Sequence, residues 1–149
     1  MKFQRGFLIV GLLTLIGCAG DRPTTLGAQN NQLAACPDSP NCVSSFDTRE
    51  SHGISPLQGN LDQVRAVLAQ MPRAEIITDS GNYLHVEFTS RLMGYVDDVE
   101  FLADASQYIV HVRSASRLGY SDMGVNRERV ETIRETMLPE IFFSSTRRD

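Results

Sequence analysis

The alternation that decides the fold lies in residues 83–90, YLHVEFTS, where the apolar side chains of Leu84, Val86 and Phe88 are separated by more polar ones. A period of two residues is typical of a β-strand that packs one face on a core and turns the other face away from it. The three residues before it, Ser-Gly-Asn at 80–82, are a strong turn signal. The stretch therefore predicts a half-buried strand that begins directly after a turn.

Three further strand-like runs lie nearby, at residues 74–78, 95–102 and 107–114. Their connections are short, which favours antiparallel neighbours in one sheet. The same alternation extends the core-facing set to Val99, Phe101, Tyr108, Val110 and Val112. The opposite face is then expected to be polar and open to solvent, carrying Tyr83, His85, Glu87, Thr89, Asp98, Glu100, His111 and Arg113.

One carboxylate falls on the core side of this sheet. Asp97 has the same strand parity as Val99 and Phe101, and burial of an unpaired carboxylate costs several kcal/mol. We therefore expect Asp97 to be ion-paired or hydrogen-bonded. Asp98 follows it directly, so the two side chains point to opposite faces and cannot act as a paired general acid and base.

Two helices are predicted beside these strands. Asn60 can cap the first, which ends before Pro72. Its apolar positions recur at helical spacing: Leu61, Val64, Val67 and Leu68. The second helix is predicted over residues 126–138. Its apolar face would hold Val130, Ile133 and Met137.

Residues 36–59 contain several prolines and glycines and are predicted as loop. The fold class expected is α+β, a small antiparallel sheet of about four strands with two helices packed on one face.

Residues 1–17 have the features of a secretory signal peptide: two basic residues precede an apolar run that is short for a membrane span. The run ends in Leu-Ile-Gly-Cys at residues 15–18, which resembles the bacterial lipobox, where the cysteine takes a diacylglyceryl group before cleavage. The sequence thus predicts a mature lipoprotein that begins at Cys18. A transmembrane anchor and an ordinary secreted protein are the alternatives. By analogy with lipoprotein sorting, Ala19 favours the outer membrane of a Gram-negative cell, facing the periplasm.

The mature chain divides into a tether and one domain. Residues 18–35 are small or polar without periodicity, which predicts a lipidated N-terminus and a flexible tether. Residues 36–149 are predicted as a single α+β domain. In an oxidising compartment the remaining cysteines, Cys36 and Cys42, are expected to form a disulfide across a short loop. A metal site is the alternative, with no histidine close to the pair in sequence to support it.

Charge and composition exclude several classes of function. The formal net charge is −4 and becomes −6 without the two basic residues of the signal peptide, so no nucleic-acid partner is expected. Lys2 is the sole lysine, which excludes a Walker-type phosphate loop and a Schiff-base lysine in the mature chain. Residues 119–124 lack the spacing of a nucleophile elbow. No metal or other cofactor is predicted, although His85, Glu87 and His111 could bind a metal from the polar face.

The densest polar segment covers residues 113–129. Arg113, Arg117 and Arg127 offer planar forks for a carboxylate or phosphate, and a helix begins near Asn126. These features predict an anion-binding site. In the alternative interpretation the arginines pair internally with Asp97, Asp98 and Asp122 and hold the segment against the sheet.

Three separated segments resemble one family of bacterial and plastid proteins. They are residues 36–45, residues 94–101, and residues 113–117 running on to Asn126-Arg127. The family is the domain of unknown function DUF1499, and the resemblance covers residues 36–138. It implies a small domain, often on an envelope lipoprotein, without an established activity. The family's characteristic positions fall here on Cys36, Cys42, Asp97, Asp98, Arg113, Ser114, Ser116, Arg117, Asp122, Asn126 and Arg127.

The leading hypothesis is a non-catalytic lipoprotein, anchored in the membrane by its N-terminal lipid, that binds a small anionic ligand or the acidic group of an envelope protein partner. The residues predicted to bind it are Arg113, Ser114, Ser116, Arg117, Asp122, Asn126, Arg127, Asp97 and Asp98. An enzyme on an anionic envelope metabolite is the first alternative, with Asp98 or Asp122 as base and Arg113 or Arg127 orienting the substrate. The second alternative is a purely structural envelope protein whose sheet face meets another protein.

Overall fold

The computed structural model describes residues 19–138. The predicted signal peptide and Cys18 therefore lie outside the described residues, as do residues 139–149. Within residues 19–138, no helix combines the length and the apolar character that crossing a membrane requires.

The centre of the fold is an antiparallel sheet of six strands. The strands are β1 (Cys42–Ser44), β2 (Leu57–Gln58), β3 (Ala74–Ser80), β4 (Tyr83–Thr89), β5 (Val96–Asp104) and β6 (Ile109–Ser116). Their order is β1-β6-β5-β4-β3, and β2 also pairs with β6. The last four strands follow one another as hairpins because their connections are short.

The prediction of about four strands was wrong by two. Both additional strands, β1 and β2, lie within residues 36–59, which the sequence predicts as loop. Strands of two or three residues carry no periodic signal. They form here because β6 offers backbone donors and acceptors that β1 and β2 satisfy.

Two helices pack on one face of the sheet, as predicted. Helix α1 covers Leu61–Leu68, and Asn60 caps it in a capping box with Gln63. Helix α2 covers Val125–Met137. The core between helices and sheet contains Leu84, Val86, Phe88, Val99, Phe101, Val110, Val112, Val130 and Ile133. The α+β class is therefore confirmed, with a larger sheet.

Tyr108 is an exception to the predicted core. It lies in the turn before β6 with a φ of 52°, and it is 58% exposed. The alternation was extended one residue too far, into a left-handed turn position where the side chain leaves the strand parity.

The second face of the sheet is covered, which corrects the expectation that it is open to solvent. His85, Asp98, Glu100 and Arg113 on this face are all buried. The cover consists largely of residues 19–35, here named the strap. Leu33 of the strap is buried and packs with aromatic and aliphatic side chains of the sheet.

The strap also differs from the flexible tether predicted for residues 18–35. Arg22 donates two hydrogen bonds to Glu87, and the Gly27 amide donates one to Glu100 at 2.8 Å. Composition alone indicated a coil, because the hydrogen-bond partners of Arg22 and Gly27 are 65 and 73 positions away in the chain. The strap is therefore held to the sheet by hydrogen bonds to the carboxylates of Glu87 and Glu100.

The predicted disulfide between Cys36 and Cys42 is confirmed, with a Cα–Cα distance of 5.7 Å. Cys42 begins β1 opposite Ala115 of β6, and the three residues form a small buried cluster. The disulfide therefore joins the end of the strap to the edge of the sheet.

Candidate functional site

The predicted site residues do not form one site, because the sheet separates them. Those on the side of α2, here named the helix-side network, are Asp97, Ser114, Ser116, Asp122 and Asn126, together with Arg129. Those on the side of the strap, here named the strap-side network, are Asp98, Arg113 and Arg117, together with Tyr83, His85, Glu87 and Glu100. Arg127 belongs to neither network.

Asn126 is the centre of the helix-side network and is fully buried. Its side-chain oxygen accepts a hydrogen bond from the Ser114 hydroxyl at 2.5 Å. Its side-chain nitrogen lies within hydrogen-bond distance of Ser116 Oγ, at 2.9 Å, and of Asp122 Oδ2, at 2.8 Å. The residues of the 113–129 segment that face α2 therefore bind one another.

Asp122 occupies the place where a helix N-terminus would receive an external anion. Its carboxylate accepts hydrogen bonds from the backbone amides of Gly124 at 3.0 Å and Asn126 at 2.7 Å. A carboxylate at this point satisfies free amides and interacts favourably with the helix dipole. The anion site predicted at the start of α2 is thus filled from within the chain.

Arg129 joins Asp97 to this network. It donates to Asp97 Oδ2 at 2.6 Å and to Asn126 Oδ1 at 2.8 Å, and its guanidinium lies 4.6 Å from the centre of the Phe88 ring. The expectation that Asp97 is ion-paired on the core side is therefore confirmed. The second carboxylate oxygen of Asp97 has no hydrogen-bond partner among residues 19–138.

Arg117 is the most heavily engaged cation of the strap-side network. Its guanidinium donates one hydrogen bond to each carboxylate oxygen of Asp98, at 2.8 and 2.7 Å, and another to Glu87 at 2.5 Å. His85 Nε2 lies 2.8 Å from Asp98 Oδ1. Side chains of Asp98 and Arg117 are both almost wholly buried, so this pair is screened little by solvent.

Glu100 is the second buried carboxylate of the strap-side network. It accepts hydrogen bonds from Tyr83 at 2.8 Å and from Arg113 at 3.2 Å, besides the Gly27 amide of the strap. Arg113 Nε is a buried donor with no partner among the described residues. Arg117 therefore pairs with Asp98, as the alternative interpretation of internal pairing expects. Arg113 pairs instead with Glu100, which that interpretation did not name, and neither Asp97 nor Asp122 pairs with any of the three predicted arginines.

The electrostatics of this network follow from burial and pairing. Burial acts to raise the pKa of Asp98, but hydrogen bonds from Arg117 and His85 outweigh it, so its pKa lies below the ordinary value. The same opposition, with Arg117 and Arg22 as donors, lowers the pKa of Glu87. Burial, reinforced by the Glu100 charge, raises the pKa of Tyr83. The carboxylates of Asp98 and Glu87 are thus ionised at neutral pH.

The residues considered for a metal are only partly together. His85, Glu87 and Asp98 each have a potential ligand atom within 4.8 Å of the others. Arg117 donates to both of these carboxylates, so a cation there would meet a positive charge already in place. His111 lies elsewhere: it stacks on Phe46, and burial lowers its pKa.

Arg127 fastens a loop to α2. It donates to the backbone carbonyls of Gly53 at 2.9 Å and Ser51 at 3.2 Å. Because loop carbonyls are its partners, Arg127 is separated from the anion site predicted for Arg113 and Arg117.

One open site is a cleft at one end of the sheet, here named the loop-end cleft. It lies between residues 90–95, which join β4 to β5, and residues 117–124, which join β6 to α2. Its volume is about 420 Å³ and most of its wall is apolar. Lining residues are Ser90, Tyr95, Asp97, Ser116, Leu118, Gly119, Ser121, Asp122 and Val125. The floor is therefore the helix-side network.

Two other cavities lie close to the networks. One of about 290 Å³ shares Ser90, Asp97 and Val125 with the loop-end cleft and reaches Arg129. The second, of about 520 Å³, lies between the strap and β3 and β4, where Arg22 and His85 contribute to its lining. Only the first adjoins the loop-end cleft, so the two together form an elongated depression along the start of α2.

Several residues of the networks were not predicted as site residues. Arg129 carries a signal that could have found it, because it follows Asn126 by three residues and so lies on the same face of α2. Glu87 and Glu100 alternate with the core residues of their strands, but their burial depends on the strap. Nothing local in the sequence indicates that cover.

Comparison with known proteins identifies a family without a known activity. A sequence model of the family described as "Protein of unknown function (DUF1499)" matches residues 32–137. Neither the curated proteins nor the solved structures contain a significant match to the chain. The match begins within the strap and ends at the last residue of α2.

Proposed function

The chain belongs to the DUF1499 family, whose description names no activity, and we propose that this member is a lipid-anchored binding domain of the bacterial envelope. The lipid is carried by Cys18, and the domain faces the periplasm from the outer membrane. The loop-end cleft holds a small molecule that has an apolar body and a hydrogen-bond donor. The observation that carries the proposal is the apolar-walled cavity of about 420 Å³ with Asp97 at its floor.

The geometry favours this ligand over the anion expected from the arginines. Arg113 is paired with Glu100 and Arg117 with Asp98 and Glu87. An external phosphate or carboxylate at either arginine would have to displace an internal carboxylate, and the buried Asp98 or Glu100 would lose its arginine. Leaving a buried charge unpaired costs about 3–5 kcal/mol.

The loop-end cleft offers suitable contacts for a donor with an apolar body. The second oxygen of Asp97 is available to accept a hydrogen bond from an amine or hydroxyl, and the Ser90 and Ser121 hydroxyls line the same cavity. Tyr95 and Val125 contribute apolar wall. Ligand sites in proteins commonly combine such walls with a few convergent polar groups.

The catalytic alternative has less support. A general base needs a pKa near the working pH and access to substrate. Asp98 is 1% exposed and its pKa is lowered by Arg117 and His85 against the effect of burial. Asp122 is committed to the first amides of α2. We therefore favour binding without chemistry.

Thermal unfolding of a soluble form beginning at Ala19 tests the ligand class. Medium-chain alkyl amines and alcohols should raise the melting temperature, whereas carboxylates and phosphates of the same chain length should not. A ligand present at about 100 times its Kd adds about 2.7 kcal/mol of stability. Val125→Gln, which places a polar side chain in the cleft at an exposed helix position, should remove the shift.

Tyr108→Gln is the matched control, because it changes an exposed apolar residue at the far end of the sheet. Its shifts should equal those of the wild type. If the anionic compounds raised the melting temperature as much as the amines and alcohols, the arginines would be favoured as the ligand site. If no compound raised it, ligand binding would be contradicted.

The anchor is tested separately. Metabolic labelling with a radioactive fatty acid in a Gram-negative host should label the wild-type protein and leave Cys18→Ser unlabelled. Labelling of both proteins, or of neither, would contradict lipidation at Cys18. Fractionation of the labelled cells by density then assigns the protein to the inner or the outer membrane.

A further inference from the structure

Exposed apolar side chains are concentrated at one end of the molecule. Ten large apolar side chains are exposed within residues 19–138, and seven of them lie on the two loops that border the loop-end cleft or directly after them. They are Leu92, Met93, Tyr95, Leu118, Tyr120, Met123 and Val125, here named the loop patch. Met123 is 96% and Leu92 90% exposed. Soluble surfaces rarely concentrate such side chains without a partner.

The strap begins at this patch. Gly20 lies so close to Leu118 that a β-carbon added to Gly20 would be 3.0 Å from Leu118 Cγ. Cys18 is two residues before Gly20 in the sequence. Two residues of chain reach at most about 7 Å, so a lipid on Cys18 is tied to the immediate neighbourhood of the loop patch.

The strap is also fixed to the sheet at several points along its length. Arg22 is bonded to Glu87, Gly27 to Glu100, and Leu33 is buried against the sheet. A flexible tether would let the domain turn any side to the membrane. A strap fixed to the sheet from residue 22 onward holds the end that carries the loop patch towards the anchor.

From these three observations we propose that the loop patch docks on the phospholipid bilayer. The inference rests on the lipid anchor of the proposed function. Once the acyl chains on Cys18 enter the bilayer, the patch is held at its surface, and Leu92, Tyr120 and Met123 insert at the headgroup level. Arg91 is exposed in the same loop and faces a layer of lipid phosphates with the matching charge.

A bilayer fits the loop patch better than the site of a globular partner. Its members lie on the two loops that border the loop-end cleft, at the end of the molecule where the strap that leads to the anchor begins. The anchor also raises the local concentration of bilayer at the patch far above that of any soluble partner. Docking would open the loop-end cleft towards the membrane surface, so its ligand would arrive from the lipid phase.

Fluorescence quenching in vesicles tests the proposal on the full, lipidated protein. Leu92→Cys, Met123→Cys and Tyr108→Cys each introduce one free thiol, because Cys36 and Cys42 are disulfide-bonded. Each thiol is labelled with an environment-sensitive dye, and the protein is reconstituted into vesicles of phosphatidylethanolamine and phosphatidylglycerol containing a nitroxide-labelled lipid. Tyr108 is the matched control because, like Met123, it is an exposed residue with a positive φ.

We expect strong quenching and a blue-shifted emission at Leu92 and Met123 and neither at Tyr108. Proximity to the anchor alone could quench a label, so a second variant separates insertion from proximity. Met123→Asp should lower quenching of the Leu92 label by about twofold or more, because a charge is costly to insert into the membrane. Met123 is almost fully exposed, so this change leaves the fold intact, as urea unfolding would verify.

The outcomes separate the docking surface from the anchor. Equal emission and quenching at all three labels, in protein that floats with the vesicles, would overturn docking and leave the anchor standing. Quenching that is unchanged by Met123→Asp would also overturn docking. Protein that carries no lipid and does not float would overturn both.

Discussion

Asp97 and Asp98 are consecutive residues of β5, yet Asp97 binds Arg129 of α2 at 2.6 Å while Asp98 binds Arg117 on the opposite face of the sheet. Strand geometry produces this arrangement, since successive side chains point to opposite faces. The two carboxylates therefore connect different layers. Asp97 ties α2 to the sheet, and Asp98 fixes the residue that follows β6.

Replacing these two carboxylates should destabilise the protein unequally. Asp98→Asn removes a carboxylate whose side chain is 1% exposed, and it leaves Arg117 with Glu87 as its remaining carboxylate and His85 beside a neutral amide. We expect it to lower the free energy of unfolding by about 3–5 kcal/mol. Asp97→Asn should cost less, about 1–3 kcal/mol, because Arg129 keeps its bonds to Ser114 and Asn126. Urea unfolding followed by circular dichroism measures both, since the chain has no tryptophan. Equal losses would contradict the difference in burial.

The acid side of the stability curve should depend on Asp98. Its pKa lies below the ordinary 3.8, because hydrogen bonds from Arg117 and His85 outweigh the opposing effect of burial. A lowered folded-state pKa adds stability that is present above pH 3.8 and is lost as the pH falls through the lowered value. Urea midpoints measured between about pH 7 and about pH 2 should fall steeply for the wild type below about pH 4. Asp98→Asn should show a shallower fall, with Glu87 supplying a remainder of the same sign. Parallel curves would show that Asp98 is not linked to folding.

The disulfide should contribute modestly to stability. Replacing Cys36 and Cys42 together by serine opens a small loop, for which chain entropy gives about 2 kcal/mol. Unfolding of the wild type in reductant should match the double variant in its absence. Reductant should leave the double variant unchanged, and a further loss there would point to an effect unrelated to this disulfide.

The strap should behave as part of the folded unit. Leu33→Ala removes a buried side chain from its contacts with Tyr83 and Leu102, so we expect a loss of about 2–5 kcal/mol. Leu92→Ala, at an exposed position, is the control and should change stability by less than about 0.5 kcal/mol. The Gly27 amide should exchange slowly with deuterium because it is bonded to Glu100. Fast exchange at Gly27, together with unchanged stability of Leu33→Ala, would instead show that residues 19–35 are a flexible tether.

Much of the fold was accessible from local patterns in the sequence. Residues 83–90 alternate cleanly, and Asn60 marks the start of α1, so the first residue of each of these elements was predicted correctly. Helix α1 ends at Leu68, a few residues earlier than Pro72 indicated. Strands β1 and β2 were not predicted, because two or three residues carry no period and gain their stability only by pairing with β6.

The candidate site was predictable only in part. The strand alternation placed Asp97 on the core face and so correctly predicted that it needs a partner. Internal pairing of the arginines was among the interpretations. Asp98 was among the carboxylates proposed as partners of the arginines. The pairing of Arg117 with Glu87, 30 residues away, and of Arg129 with Asp97, 32 residues away, was not accessible. Such pairs depend on which strands become neighbours, and strand order is a property of the whole sheet.

By itself the sequence determined what is local and periodic: the core face of the sheet, the two helices, the pairing of the two cysteines, and the separation of Asp97 from Asp98. The cysteine pairing follows from the number of cysteines and an oxidising compartment, and the others follow from steric rules that act over a few residues. Only the tertiary structure decided that the strap covers the charged face and that the arginines are engaged there. It also decided that the exposed apolar residues meet at one end of the molecule beside Gly20. These outcomes depend on burial, and burial is set by residues distant in the chain.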